Sequence, residues 1–147
     1  MTEFPQRLRH QIPGWVGRGA IYHIRIRTGE DNSVPLTEPL VGHALLKGAR
    51  HYHQAQRWHA RCLLLMPDHL HALVSFFDDS SMGATVGAWK AYHARRHGII
   101  WQDGFFDHRI RNAQSLGLKA DYIRRNPVVK GLCTRDTDWA WAIWMTD

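Results

Sequence analysis

The fold turns on residues 60–77, ARCLLLMPDHLHALVSFF, from Ala60 to Phe77. Cys62, Leu63, Leu64, Leu65 and Met66 form an unbroken apolar run, the pattern of a strand buried on both faces. Met66-Pro67-Asp68 then makes a tight turn, because proline pre-sets φ and has no N–H to give to a ladder. From His69 to Phe77 the chain extends again, so Ala60–Met66 and His69–Phe77 are expected to pair as an antiparallel hairpin. Residues two apart in a strand point to the same face. His69 and His71 therefore project together at a spacing able to grip one cation, while Leu70 points into the core. Imidazole suits zinc, manganese, nickel or copper and tolerates magnesium less well. The chain holds 11 histidines, and two on one strand face are by themselves more often unmetallated than metallated.

Upstream, Ala20 to Thr28 alternates, with Tyr22, Ile24 and Ile26 on one face and His23, Arg25 and Arg27 on the other. That is a half-buried strand with a basic polar side. Gly29 to Ser33 makes a turn, and Pro39 to about Trp58 reads as a helix with proline in its first turn. The first 19 residues, with Pro5, Pro13, Gly14, Gly17 and Gly19, read as irregular. Downstream, Ser80 or Ser81 is expected to cap a second helix that runs to about His97 and stops at Gly98. Trp101 to Arg111 reads as a turn followed by a strand over Phe106–Ile110. Leu116 to Arg125 reads as a third helix ending near Asn126, because Pro127 follows. Trp139, Trp141 and Trp144 are expected to pack the tail back onto the body. The order strand, helix, two strands, helix, strand, helix predicts an α+β, ferredoxin-like antiparallel sheet, with the helices packed on one face and the histidines on a central strand.

The 147 residues fit one domain over 1–147, large enough to bury a core without staples. Lys and Arg total 19 against 13 acidic residues, a formal charge of +6, and such a balance attracts polyanions. Cys62 and Cys133 flank apolar residues and are expected as buried free thiols rather than a disulfide, and no Cys-x-x-Cys pair suggests structural zinc. The first 30 residues carry five arginines and no apolar signal core. No apolar run reaches the ~18 residues a membrane span needs. A cytoplasmic location is expected.

Tyr122 and Asn126 lie four apart on the third helix, hence on one face. A phenol there can attack, and an amide oxygen one turn on can complete a metal site, although Tyr22, Tyr52 and Tyr92 look no worse by composition. Arg109, Arg111, Arg124 and Arg125 surround this region and Arg25 and Arg27 decorate the first strand, a set suited to phosphates. Trp101, Phe105 and Phe106 serve either as core or as base-stacking rings.

Four stretches in order now resemble a known family. Leu65-Met66-Pro67-Asp68-His69-Leu70-His71 resembles the histidine–hydrophobe–histidine segment of the HUH single-tyrosine transposases of insertion sequences, and among them the REP-associated tyrosine transposases. The others are Gly19-Ala20-Ile21-Tyr22-His23, then Trp101 to His108 with Ile110-Arg111-Asn112, then Tyr122-Ile123-Arg124-Arg125-Asn126-Pro127 continuing to Leu132. The resemblance runs over residues 15–141. It implies a metal site on His69, His71 and Asn126, with magnesium or manganese as the divalent metal. It implies Tyr122 as nucleophile, cutting single-stranded DNA at hairpin or palindromic repeats through a 5′-phosphotyrosine, in a monomer or homodimer. Arg124 or the metal is then expected to assist the attacking oxygen. The sequence departs from the family at Asp68, where asparagine is usual, and a carboxylate there could change cation preference or loosen phosphate binding. Two further function classes stay open: a hairpin-binding relative that no longer cuts, and a zinc hydrolase recruiting His23 as a third ligand.

Overall fold

β2 (His59–Leu65) and β3 (His69–Ser75) form the expected hairpin, with Leu65 opposite Leu70 and Leu63 opposite Ala72. In this computed structural model residues 20–145 are described; the irregular stretch expected over residues 1–19 lies outside the described residues. β1 (Ile21–Arg27) joins the other side of β3 antiparallel, placing Arg25 opposite His71 and Arg27 opposite His69. β4 (Phe106–Ile110) pairs with β1, setting Phe106 opposite Arg25 and His108 opposite His23. The sheet order is β4-β1-β3-β2-β5, so the histidine strand is central. β5 (Ala142–Trp144) was expected only as packed tail. It adds a short edge strand to β2, and three residues are too few to show a period.

α1 (Pro39–Gln54) starts where Glu38 accepts the Val41 N–H at 3.0 Å. It ends before Trp58 rather than at it. Gln56 takes a left-handed φ of 59°, which folds the Trp58 indole back beneath the helix, where its N–H donates to the Ala49 carbonyl. α2 (Met82–His97) stops at Gly98, whose φ of 69° suits glycine. Its entry is a 3-10 turn, Asp79–Ser81, capped by Asp78 through the Ser80 N–H. Ser81 stands at the α2 start, but its hydroxyl donates to the Asp78 carbonyl instead of capping.

α3 (Ala113–Val129) is longer than expected at both ends. Asn112 caps it through the Ser115 N–H, and it continues through Pro127. A proline this near a C-terminus removes only one helical bond; the Lys130 N–H still reaches the Asn126 carbonyl and the Leu132 N–H the Pro127 carbonyl.

The antiparallel α+β layer carries helices on both faces, not one. α1 and α2 cover the face bearing Ile24, Ile26, Leu63, Leu65, Leu70, Ala72 and Val74. α3 covers the other face, where Ile123 and Leu116 meet Cys62, Leu64, Met66, Leu73 and Ile110. The cause is the continuous apolar run of β2, since leaving its second face wet would forfeit ~1.5–3 kcal/mol per large side chain. His69 and His71 share this second face, so α3 has to cross it and brings its own polar side chains to them. Cys62 and Cys133 are both free, but only Cys62 is buried, and burial pushes its thiol up to about 12. Among the described residues no helix is long and apolar enough to cross a membrane.

Candidate active site

Two rings on β3 open onto a cleft of ≈ 450 Å³ between the sheet and α3, lined also by Arg25, Arg27, Tyr122 and Asn126. Each ring is anchored by its Nδ1. The His69 Nδ1 lies 2.7 Å from the Asp68 carboxylate, and the His71 Nδ1 lies 2.9 Å from the His23 Nε2. On α3, the Asn126 amide nitrogen stands 3.4 Å from the His71 Nε2. The Tyr122 ring meets the His71 ring edge-on at 6.0 Å between centroids. Asn126 is buried, whereas Tyr122 is 54% exposed and open to a ligand. Lys119, Tyr122, Asn126 and Lys130 recur at helical spacing, so one stripe of α3 faces the cleft.

Burial sets the charge states. His71 is lowered to about 3, first by desolvation and then by repulsion from His69, His23 and the Arg25 and Arg27 guanidinium groups. Desolvation also lowers His23 to about 4, with Lys119 and Arg25 adding to it. His69 moves down by burial, against the pull of Asp68, while its hydrogen bond holds the Asp68 carboxyl below the usual carboxylate range. At neutral pH the three rings are therefore neutral, and each has one donor and one acceptor nitrogen. A carboxylate only accepts, so His69 donates from Nδ1 and turns a lone pair on Nε2 to the cleft. Asp68 thus orients a ring, as the carboxylate partners of metal-binding histidines do, and asparagine's amide oxygen could fill the same role.

Among the described residues, no three or more His, Cys, Asp or Glu side chains form a ready metal cage. The donors here are two neutral imidazoles and an amide, and the Asn126 Oδ1 is buried without a hydrogen-bond partner among the described residues. A half-turn of that amide exchanges Nδ2 for Oδ1 at the cleft. Such a set fits a divalent cation that keeps waters and substrate oxygens around it, and lacks the donors of a closed zinc site. His23 is not a third ligand, because its Nε2 faces His71 Nδ1 from behind.

The basic residues divide. Arg25 and Arg27 line the cleft, and the Arg25 guanidinium lies 4.7 Å above the Phe106 ring. Arg109 and Arg111 line a separate depression with Asn112 and Leu116 at the start of α3. Arg124 binds Asp121 and stacks on Trp144 at 4.2 Å. The cation over Tyr122 is instead Lys119, 5.1 Å from the ring centroid. Arg125 is exposed on α3. Trp101 and Phe105 pack against the α1–α2 core, while Phe106 remains 43% exposed. Sequence reading missed Lys119 and Lys130; their helical spacing from Tyr122 and Asn126 was the available signal.

No family model matches the chain. It is 22% identical over 129 residues to a REP-associated tyrosine transposase of Escherichia coli (strain K12), covering 86% of this chain and 76% of that protein. A solved structure of a REP-associated tyrosine transposase bound to a REP hairpin superposes with a TM-score of 0.72 at 22% identity, covering 97% of this chain and 82% of that one. The family resemblance carried by the motifs is thus met by a relative and by a fold, each over most of the chain.

Proposed function

We propose, with the likeness to REP-associated tyrosine transposases as premise, that this chain nicks and rejoins single-stranded DNA at hairpin-forming repeats, using Tyr122 as nucleophile. The observation that carries the reading is the convergence of an accessible phenol, two neutral imidazoles and a partnerless amide oxygen on one arginine-lined cleft. Arg25 and Arg27 hold phosphates of the strand across the cleft mouth, and Phe106, propped by Arg25, offers a face for a base. The Tyr122 oxygen attacks the scissile phosphorus, the bond from phosphorus to the 3′ oxygen breaks, and a 5′-phosphotyrosine and a free 3′-hydroxyl result. The phenolic proton leaves to solvent, because Tyr122 is open to it, the departing 3′ oxygen takes a proton from solvent, and Lys119 places a cation beside the Tyr122 ring. A divalent metal, magnesium or manganese, bound by His69, His71 and Asn126 would polarise the phosphate. The ester keeps the bond energy, so a second 3′-hydroxyl can attack it and join strands.

The test is a denaturing gel of the protein incubated with manganese and labelled hairpins from its own genomic neighbourhood. Label is expected on wild type, and on neither Tyr122→Phe nor the His69→Ala, His71→Ala pair. Tight hairpin binding without an adduct would favour a non-cutting binding protein instead. Cutting by Tyr122→Phe would refute the nucleophile.

A further inference from the structure

We infer that His23 is a positioning residue: it accepts the Nδ1–H of His71, holds that ring with the Nε2 lone pair toward the cleft, and thereby sets the cation affinity of the site. The inference rests on the proposed metal-dependent reading and adds a residue outside its ligand set.

The strands build the contact. His71 stands opposite Arg25 in the β1–β3 ladder, so His23, two residues away on the same face, is its diagonal neighbour. The rings stack at 5.2 Å with 18° between planes, and both are buried. Phe106, edge-on at 5.8 Å, and His108, paired with it across β4, also neighbour His23, and Lys119 and Arg25 lie near enough to act on its charge. When its Nε2 accepts, the ring's own proton sits on Nδ1, which has no hydrogen-bond partner among the described residues, so the bond to His71 is the one fixed polar contact of the ring there.

A neutral imidazole can give Nε2 to a cation only when Nδ1 carries the proton. Among the described residues, the hydrogen-bond acceptor for that proton is the His23 Nε2, at 2.9 Å. Without it, the donor left buried and unpaired is the His71 Nδ1–H, which a cation on Nε2 polarises and which is therefore the stronger donor of the pair. The ring then turns to the opposite tautomer, whose Nε2–H can reach the Asn126 oxygen and cannot bind metal. Removing the carboxylate or carbonyl partner of a metal-binding histidine typically costs about 10- to 100-fold in metal affinity, and His23 stands in that place for His71. Glutamine can do the same work through its amide oxygen.

The experiment measures manganese affinity calorimetrically for wild type, His23→Leu and His23→Gln, each with hairpin DNA bound. Nitrogen NMR of the metal-free proteins reads the His71 tautomer. Leucine should weaken manganese binding by about 10- to 100-fold and move the proton toward Nε2, and glutamine should recover most of the affinity. If wild type binds manganese and His23→Leu changes neither affinity nor tautomer, the inference is overturned. It also fails if a folded glutamine variant behaves like leucine. If wild type binds no manganese, the metal-dependent reading fails and takes this inference with it.

Discussion

Acidification should unfold this protein through its buried histidines before its carboxylates are protonated. His71 is lowered to about 3 and His23 and His93 to about 4, all mainly by burial, against ~6.5 in an unfolded chain. The native state then binds fewer protons than the unfolded state as pH falls below ~6.5, so stability falls with it. At pH ~5 each group has lost about 1.5 pH units of linkage, or ~2 kcal/mol at 1.36 kcal/mol per unit. Three such groups amount to ~6 kcal/mol, the scale of a whole domain's stability of ~5–15 kcal/mol. The loss is complete only when pH reaches the folded-state values near 3–4. Urea titrations at steps from pH 7.5 to 4.5 measure it, with His93→Phe as the control, because His93 is buried on α2 against Trp89, on the sheet face opposite the cleft. A stability curve flat between pH 7 and 5 would refute buried, neutral rings, and with them the lone pairs that the proposed chemistry needs.

Three further outcomes follow from the cleft. Asp68→Asn should keep cutting and metal affinity near wild type, because the amide oxygen still accepts from His69, whereas Asp68→Ala should lose about 10- to 100-fold in manganese affinity; calorimetry separates the two. Arg25→Ala combined with Arg27→Ala should weaken single-strand binding and reduce the slope of log affinity against log salt by ~0.7 for each phosphate no longer neutralised, as read by fluorescence anisotropy across salt. Manganese should bind more tightly with hairpin present than without it, because DNA phosphates offset Arg25 and Arg27 beside the site; equal affinity in both states would contradict a shared cleft.

How much was legible depended on whether the signal was local. The β2–β3 hairpin and the common face of His69 and His71 follow from a run, a proline and a period of two, and all were readable. The placing of α3 on the opposite face was readable in principle, because an apolar run as unbroken as Cys62–Met66 demands a cover on each side. The passage of α3 through Pro127 was not, since a proline so close to a helix end costs too little to stop it. The cap by Asp78 is local, two residues from the Ser80 N–H it binds, and was readable; the pairing of β5 with β2 depends on a chain return that no window of sequence displays. The contact between His23 and His71 joins residues 48 apart, so only the strand register reveals it. Arg124 looked suited to Tyr122 by proximity, but residues two apart on a helix do not share a face, and Lys119 at three residues does.

We propose that one oxygen, on Tyr122, carries the DNA. Wild-type protein trapped with a labelled hairpin should be digested and its nucleotide-bearing peptide mapped by mass spectrometry. A single modified tyrosine at position 122, joined through a 5′ phosphate, is the predicted result. A nucleotide on Tyr22, Tyr52 or Tyr92, or cleavage that leaves every tyrosine unmodified, would contradict it.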